Sequence, residues 1–277
     1  MRYLVTGAAG QLGSTFMRRF SREDADAVGL TRADLDLTDD PAVRGAVQRA
    51  RPDVILNCAA YNAVDRAEDD AAGALAVNAF GAHSLARAAD AIGARLVHYS
   101  TDFVFDGFAH ATYTETDPAN PRSVYGQSKL VGEWLAFEAP GAYVLRVESL
   151  FGGPAARSSI DRIVSALKTG QDARAFVDRI VTPSYVDDVV EATLALLGRQ
   201  AEPGLYHAVN TGQATWYELG EEIARLLDVA PRLTAVKVAD VPMRAPRPQY
   251  CALSNAKLGA AGVVMPTWQD ALARYLS

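Results

Sequence analysis

Short apolar runs alternate with stretches of helical periodicity through the first half of the chain. Tyr3-Leu4-Val5-Thr6 reads as a strand, and Gly7-Ala8-Ala9-Gly10-Gln11-Leu12-Gly13 follows it directly. A helix comes next, with Leu12, Phe16 and Phe20 on one face and Arg18, Arg19 and Arg22 elsewhere. Further strands are expected at Ala27-Val28-Gly29-Leu30, from Val54 to Ala60, from Arg95 to Ser100 and from Tyr143 to Val147. Between them fall a helix capped by Asp40 with Pro41 in its first turn and another carrying Leu75, Leu85, Ala86 and Ile92. A third helix runs from Tyr125 through Leu130, Trp134 and Leu135. Continuously apolar strands separated by helices predict an α/β fold with a parallel, doubly wound sheet.

Beyond about residue 150 the pattern changes. Helical stripes at Ile160, Ile163, Val164 and Leu167, then at Val189, Val190, Leu194 and Leu197, alternate with short strands such as Leu205 to Val209. Thr215-x-x-Glu218 and Thr267-x-x-Asp270 each open a helix. The expected division is a dinucleotide-binding domain over 1–150, to which later segments return, and a region over 151–277 that mainly binds substrate.

Composition narrows the class. The 277 residues carry a net charge of -6, so no basic footprint points to nucleic acid. No apolar run is long enough to span a bilayer, and residues Met1 to Gly7 read as a strand rather than a signal peptide. Two cysteines, Cys58 and Cys251, make no disulfide framework, which fits a reducing cytoplasm. No metal is expected.

The candidate chemistry sits on three stretches. A strand, glycines and a helix together form a dinucleotide cradle. Gly7 permits the turn, Gly10 lets a pyrophosphate approach, and Gly13 allows close helix packing, while the helix N-terminus supplies N–H donors. The second strand ends at Thr31-Arg32 with no acidic residue to claim the ribose hydroxyls, so Arg32 leans the cofactor towards NADPH, with NADH as the alternative. Ser100-Thr101-Asp102 ends the fourth strand, and Tyr125-Gly126-Gln127-Ser128-Lys129 opens a helix. Four residues apart, Tyr125 and Lys129 share a helix face, and a nearby ammonium is expected to ease ionisation of the phenol. Such a tyrosine can give a proton to a carbonyl oxygen as hydride reaches its carbon, with Thr101 donating to the same oxygen. His98 reads as structural. Arg244 and Arg247, in a proline-rich segment, read from composition as loop arginines in water.

Taken in order, these pieces resemble an extended short-chain dehydrogenase/reductase of the dTDP-4-dehydrorhamnose reductase family. The resemblance also rests on Arg51-Pro52-Asp53-Val54-Ile55, Asn57-Cys58-Ala59-Ala60-Tyr61, Ala63-Val64-Asp65-Arg66-Ala67-Glu68 and His98 to Gly107. In the C-terminal half it rests on Gly204-Leu205-Tyr206-His207, Thr215-Trp216-Tyr217, Arg247-Pro248 and Pro266-Thr267-Trp268. It implies a Rossmann-type doubly wound parallel sheet with a smaller C-terminal α/β substrate-binding region. It implies NAD(P)H-dependent reduction of the C4 keto group of a nucleotide-linked 4-dehydro-6-deoxy sugar, dTDP-4-dehydro-L-rhamnose foremost. Thr101, Tyr125 and Lys129 would be the catalytic set. Gly10, Gln11 and Leu12 would meet the pyrophosphate, and Asp36 and Leu37 would lie by the adenine. Ala59, Ala60, Tyr61 and Tyr99 would line the rest of the cofactor path. Asp102, Val104, Ser149 and Arg247 would lie on the substrate side. A homodimer is compatible with the resemblance, and no nucleic acid or membrane partner is implied.

The departures gather on the sugar side. Where the family reads Arg-Thr-Ser-Trp, this chain has Arg146-Val147-Glu148-Ser149, so a hydroxyl replaces an indole and Glu148 adds a negative charge. The family's Asp-Gln is Asp178-Arg179, and its Arg-Pro-x-x-Ser is Arg247-Pro248-Gln249-Tyr250-Cys251. Two other readings therefore stand: a reductase or epimerase of a different sugar nucleotide, and a non-catalytic subunit resembling the regulatory subunit of methionine adenosyltransferase.

Overall fold

The computed structural model describes residues 1–154 and 158–277. Its first half runs β1 (Tyr3–Thr6), α1 (Gln11–Arg22), β2 (Ala27–Leu30), α2 (Asp40–Ala50), β3 (Val54–Asn57), α3 (Val64–Ala67), α4 (Ala71–Leu75), a π-helical turn (Ala76–Phe80), α5 (Gly81–Ile92), β4 (Arg95–Thr101), α6 (Val124–Ala136) and β5 (Tyr143–Val147). The second half runs β6 (Leu150–Phe151), α7 (Ser159–Lys168), β7 (Ala173–Phe176), β8 (Ile180–Val181), β9 (Ser184–Tyr185), α8 (Val186–Gly198) and β10 (Gly204–His207). It ends with β11 (Ala214–Thr215), α9 (Trp216–Leu227), β12 (Leu233–Val236), α10 (Ala256–Ala260) and α11 (Trp268–Leu276).

The main sheet is six-stranded and parallel, in the order β10-β5-β4-β3-β1-β2. Its direction of winding reverses at β1, whose neighbours are β2 on one side and β3 on the other, and ligands of such sheets bind beyond the strand ends at that point. Leu12, Phe16 and Phe20 of α1 pack with α8 on one face of the sheet. Leu85, Ala86, Ala88 and Ala89 of α5 pack with α2 on the other. Arg18–Asp187 and Arg19–Glu191 ion pairs join α1 to α8 at the surface. Two segments of the second half, α8 and β10, thus belong to the main sheet. Helices α7, α9 and α11 share a separate apolar core around Phe151, Ile160, Trp216 and Trp268, while Leu258 of α10 packs into the core of the main sheet.

Three local expectations shift. Asp39, not Asp40, caps α2, its carboxylate accepting from Ala42 N at 3.0 Å, so that Pro41 falls inside the first turn. The third strand ends at Asn57 instead of Ala60, because Cys58 to Ala60 leave the sheet to wall the crevice. The long helix through Leu75 is broken by the π-helical turn, and there Asn78 accepts from Tyr61 N and donates to Ser128.

Candidate active site

The cofactor end is built from backbone. At Gly7, φ is +66°, and a Cβ there would lie 2.7 Å from Ala59 N. At Gly13 a Cβ would lie 2.3 Å from Gly7 O, so only glycine lets α1 sit against the turn. Gly10 begins α1 without any side-chain cap, leaving the first-turn N–H groups and the positive end of the helix dipole facing the crevice. Above the ends of β1, β2 and β3 lies a cavity of about 540 Å³, lined among others by Gly7, Gly10, Arg32, Asp36, Leu37, Ala59, Ala60 and Tyr61. Asp34 is spent on Thr31, accepting from its N at 2.9 Å and its hydroxyl at 2.6 Å. Arg32 is exposed and forms no ion pair among the described residues.

Chemistry is carried by α6. Ser123 caps it, accepting from Gly126 N at 3.1 Å, and Tyr125 and Lys129 follow one turn apart on its buried side. Lys129 Nζ donates to the Tyr99 carbonyl at 2.5 Å. Burial pulls this ammonium down to about 8, with the charges of Glu133 and Cys58 opposing. The expectation of an easily ionised phenol is reversed. Burial pushes Tyr125 up, the charge of Asp102 pushes it further, and only the Thr101 hydroxyl favours the phenolate. In the free protein Tyr125 therefore holds its proton at neutral pH. Thr101 accepts from Phe103 N at 3.2 Å and donates to Asp102 Oδ1 at 3.0 Å, so its own proton is directed at the carboxylate.

Gln11, Thr101, Asp102, Tyr125 and Ser149 line a second cavity of about 340 Å³. It meets the first at Asn62. Through Ser159, Arg179 and Trp216 it meets a third cavity of about 330 Å³, which adds Arg162, Arg174 and Phe176. Arg179 and Trp216 were not among the expected site residues. Each lies far in sequence from the Tyr125 helix, and only the packing of α7, α9 and the Arg179 loop brings them there.

Several expected residues sit differently. Val104 is fully buried in a core with Phe105, Tyr113 and Leu253, so its side chain does not face the sugar cavity. The Tyr99 ring packs near Phe16 and its hydroxyl meets Thr193 at 2.7 Å, leaving only its carbonyl on the Lys129 side. Leu12 is a core side chain, and only its backbone N–H, in the first turn of α1, is left for the crevice side. Glu148 does not project its charge into the sugar cavity. It is 1% exposed and accepts from Thr182 N at 2.7 Å and from Thr182 Oγ1 at 2.5 Å. Arg247 is no free loop arginine: it pairs with Asp65 at 2.8 Å and lies 5.7 Å from the Phe103 ring, whereas Arg244 is exposed and paired with Asp69. His98 is buried against Asn57, as a structural histidine would be.

A family model described as RmlD substrate binding domain matches residues 1–277. A dTDP-4-dehydrorhamnose reductase from Streptomyces griseus is 39% identical over 98% of this chain and 91% of its own length. A probable dTDP-4,6-dihydroxy-2-methyloxan-3-one 4-ketoreductase from Streptomyces antibioticus is 38% identical over 98% of this chain and 93% of its own. Among solved structures, a dTDP-4-dehydrorhamnose reductase from Bacillus anthracis in complex with NADP has a TM-score of 0.94 and 31% identity, covering 99% of this chain and 98% of that one. With the parallel sheet, the glycine cradle and the Tyr125 helix all in their places, the chain belongs to the RmlD substrate binding domain family.

Proposed function

We propose that this chain is an NADPH-dependent oxidoreductase. It reduces the C4 keto group of a nucleotide-linked 4-keto-6-deoxy sugar, with dTDP-4-dehydro-L-rhamnose as the leading substrate and dTDP-L-rhamnose as its product. The observation that carries this reading is the meeting of Thr101 and Tyr125 in one cavity that opens beside the glycine cradle.

The cradle fits the cofactor. The uncapped first turn of α1 suits a pyrophosphate, Leu37 and Asp36 an adenosine, and the exposed Arg32 a 2′-phosphate. NADPH, when bound, supplies the hydride. Tyr125 holds the proton that the new alkoxide needs, and burial keeps that proton in place until a stronger base appears beside it. Lys129, anchored at the Tyr99 carbonyl, would hold the nicotinamide ribose and offer positive charge to the departing phenolate. Asp102 and Ser149 would meet the sugar. Arg162, Arg174 and Arg179, with the faces of Phe176 and Trp216, suit a diphosphate and a base in the third cavity. On this reading most substrate contacts fall in the 151–277 region and most cofactor contacts in 1–150. The reading includes short-chain dehydrogenase/reductase chemistry, a cytoplasmic location suited to two free cysteines, and a homodimer.

The test is NADPH oxidation by purified protein with dTDP-4-dehydro-L-rhamnose, the product identified by NMR. Cofactor binding without oxidation by any keto sugar nucleotide, together with co-purification of a partner enzyme, would replace the reading with that of a regulatory subunit. A different 4-keto sugar is the second reading, favoured by the hydroxyl of Ser149 in the cavity wall. Ser149→Trp would then block the true substrate. If the cavity is a loosened rhamnose site, the same change would improve kcat/KM for dTDP-4-dehydro-L-rhamnose.

A further inference from the structure

The three departures Glu148, Arg179 and Cys251 come from separate parts of the chain and converge under the substrate cavity. Asp102, Glu148 and Cys251 each bring one oxygen or sulfur atom within 4.8 Å of the others, all three being buried. Arg179 is the cation among them, its charge interacting with all three. Arg247, the next guanidinium, is already paired with Asp65. Two buried carboxyl groups thus face one available positive charge. Asp102 Oδ2 and Glu148 Oε1 have no hydrogen-bond partner among the described residues.

Two carboxylates this close in a dry site resist double ionisation. A single proton on the pair balances Arg179 and gives the orphaned oxygens a donor. Cys251 Sγ donates to Pro248 O at 3.1 Å and also interacts with Asp102, where it works against the burial that raises that carboxyl. The other titratable groups facing the pair are Tyr125 and Tyr250. Burial pushes both of these and Cys251 up, away from neutral pH. Burial also raises both carboxyls, and the charge of Asp102 raises Glu148 further. Asp102 Oδ1 in turn accepts from Thr101, which stands beside Tyr125.

We propose that Glu148 and Asp102 share one proton at neutral pH and use it, through Thr101, to restore Tyr125 after each reduction. The direction of proton flow rests on the reductase reading; the shared proton does not. The Tyr125 O–H bond breaks as the product O–H bond forms. The Thr101 hydroxyl turns from Asp102 to the phenolate, its Oγ1–H breaks as Tyr125 O–H reforms, and the one proton of the pair, held on Asp102, replaces the one lost from Thr101. Only protons move in these later steps, and the pair is left as two carboxylates opposite Arg179 until water in the cavity that Asp102 lines returns the proton. Glu148 is a positioning residue for the proton, acting through Asp102.

Infrared spectroscopy of the cofactor-free wild type at neutral pH should show the C=O stretch of a protonated carboxyl above the amide I band. The band should be lost in Glu148→Gln. In turnover the protonated pair is the active form, so kcat falls as pH rises through its apparent pKa. Glu148→Gln removes the like-charged neighbour, lowers the pKa of Asp102 and should move this alkaline limb down by about one pH unit or more, with KM for NADPH unchanged. Arg179→Gln removes the cation that favours ionisation and should move the limb up. Absence of the band in wild type overturns the proposal even if both variants fail to fold, as do limb shifts that are absent or of the same sign. A band that behaves as described in a protein that oxidises NADPH with no keto sugar counts against the reductase reading and leaves the shared proton standing.

Discussion

The cofactor cavity and the substrate cavity share a border at Asn62 but are built in different ways. The first is backbone: a glycine turn, an uncapped helix start and the small residues Ala59 and Ala60 at a strand end. The second is side chains from eight separated segments, Asp102, Tyr125, Ser149, Arg179 and Trp216 among them. A backbone cradle accepts one shape of ligand and tolerates few replacements. A side-chain wall can change its charge and volume while the fold stays as it is, and here it carries Ser149 and Arg179, with Glu148 and Cys251 buried behind it. The pairing teaches that cofactor and reaction class can hold steady while the substrate's details change.

The sharpest way to break this division is Tyr125→Phe, because Tyr125 belongs to the chemistry and not to the cradle. Turnover should fall at least ~100-fold, the range for loss of a general acid, while NADPH affinity measured by fluorescence titration stays nearly unchanged. A parallel loss of affinity would merge the two regions. Gly13→Ala tests the cradle alone. Its Cβ would meet Gly7 O at 2.3 Å, and both atoms belong to rigid backbone. The expected cost is about 2 kcal/mol, seen as lost thermal stability and weaker NADPH binding. A variant with wild-type melting and affinity would show that the turn is softer than its geometry.

Lys129 sits between the regions, and pH probes it. Its pKa lies at about 8, below the usual lysine value, so the ammonium is present below that pH and is lost as pH rises through it. If the cation holds the cofactor, the Kd for NADPH should rise by up to about 10-fold one pH unit higher, the full linkage for one proton. Isothermal titration in buffers of different ionisation enthalpy would also show proton uptake on binding in that range. A flat Kd would confine Lys129 to the phenol. The smallest effect belongs to the rim. Arg32→Ala should weaken NADPH use by several-fold up to about 10-fold, as loss of one exposed charge-assisted contact implies, and leave NADH use alone. Equal losses with both cofactors would mean that Arg32 does not read the 2′-phosphate.

Residues whose neighbours are close in sequence were readable from the sequence. The glycines of Gly7 to Gly13 follow a strand and start a helix, and Tyr125 and Lys129 share a helix face, so their placement needed only local rules. The caps at Thr215 and Thr267 were readable for the same reason. Electrostatics was not. The effect of Lys129 on Tyr125 looked favourable by spacing, yet burial of both groups and the carboxylate of Asp102 decide the direction. Tyr99 lies in β4, whose residues face alternate sides, and Val104 in the tight turn after it; packing against Thr193 of α8 and against Val209 and Leu253 decides where each side chain goes. Glu148 looked like a charge beside the sugar because Ser149 follows it, but the left-handed turn at Ser149, with φ at +46°, aims the two side chains apart. Arg179 is placed by groups far off in the chain, its charge facing Asp102, Glu148 and Cys251, each more than twenty residues away.

Transfer of deuterium from NADPH labelled at the reactive carbon of its nicotinamide tests the central claim most directly. The protein is incubated with labelled cofactor and a nucleotide-linked 4-keto-6-deoxy sugar, and the sugar product is read by NMR and mass spectrometry. A reductase with Tyr125 as proton donor places one deuterium on C4, beside a hydroxyl whose proton comes from solvent, in step with the NADPH consumed. Deuterium at another carbon, or product formed without deuterium and without net NADPH consumption as an epimerase would give, would contradict the account.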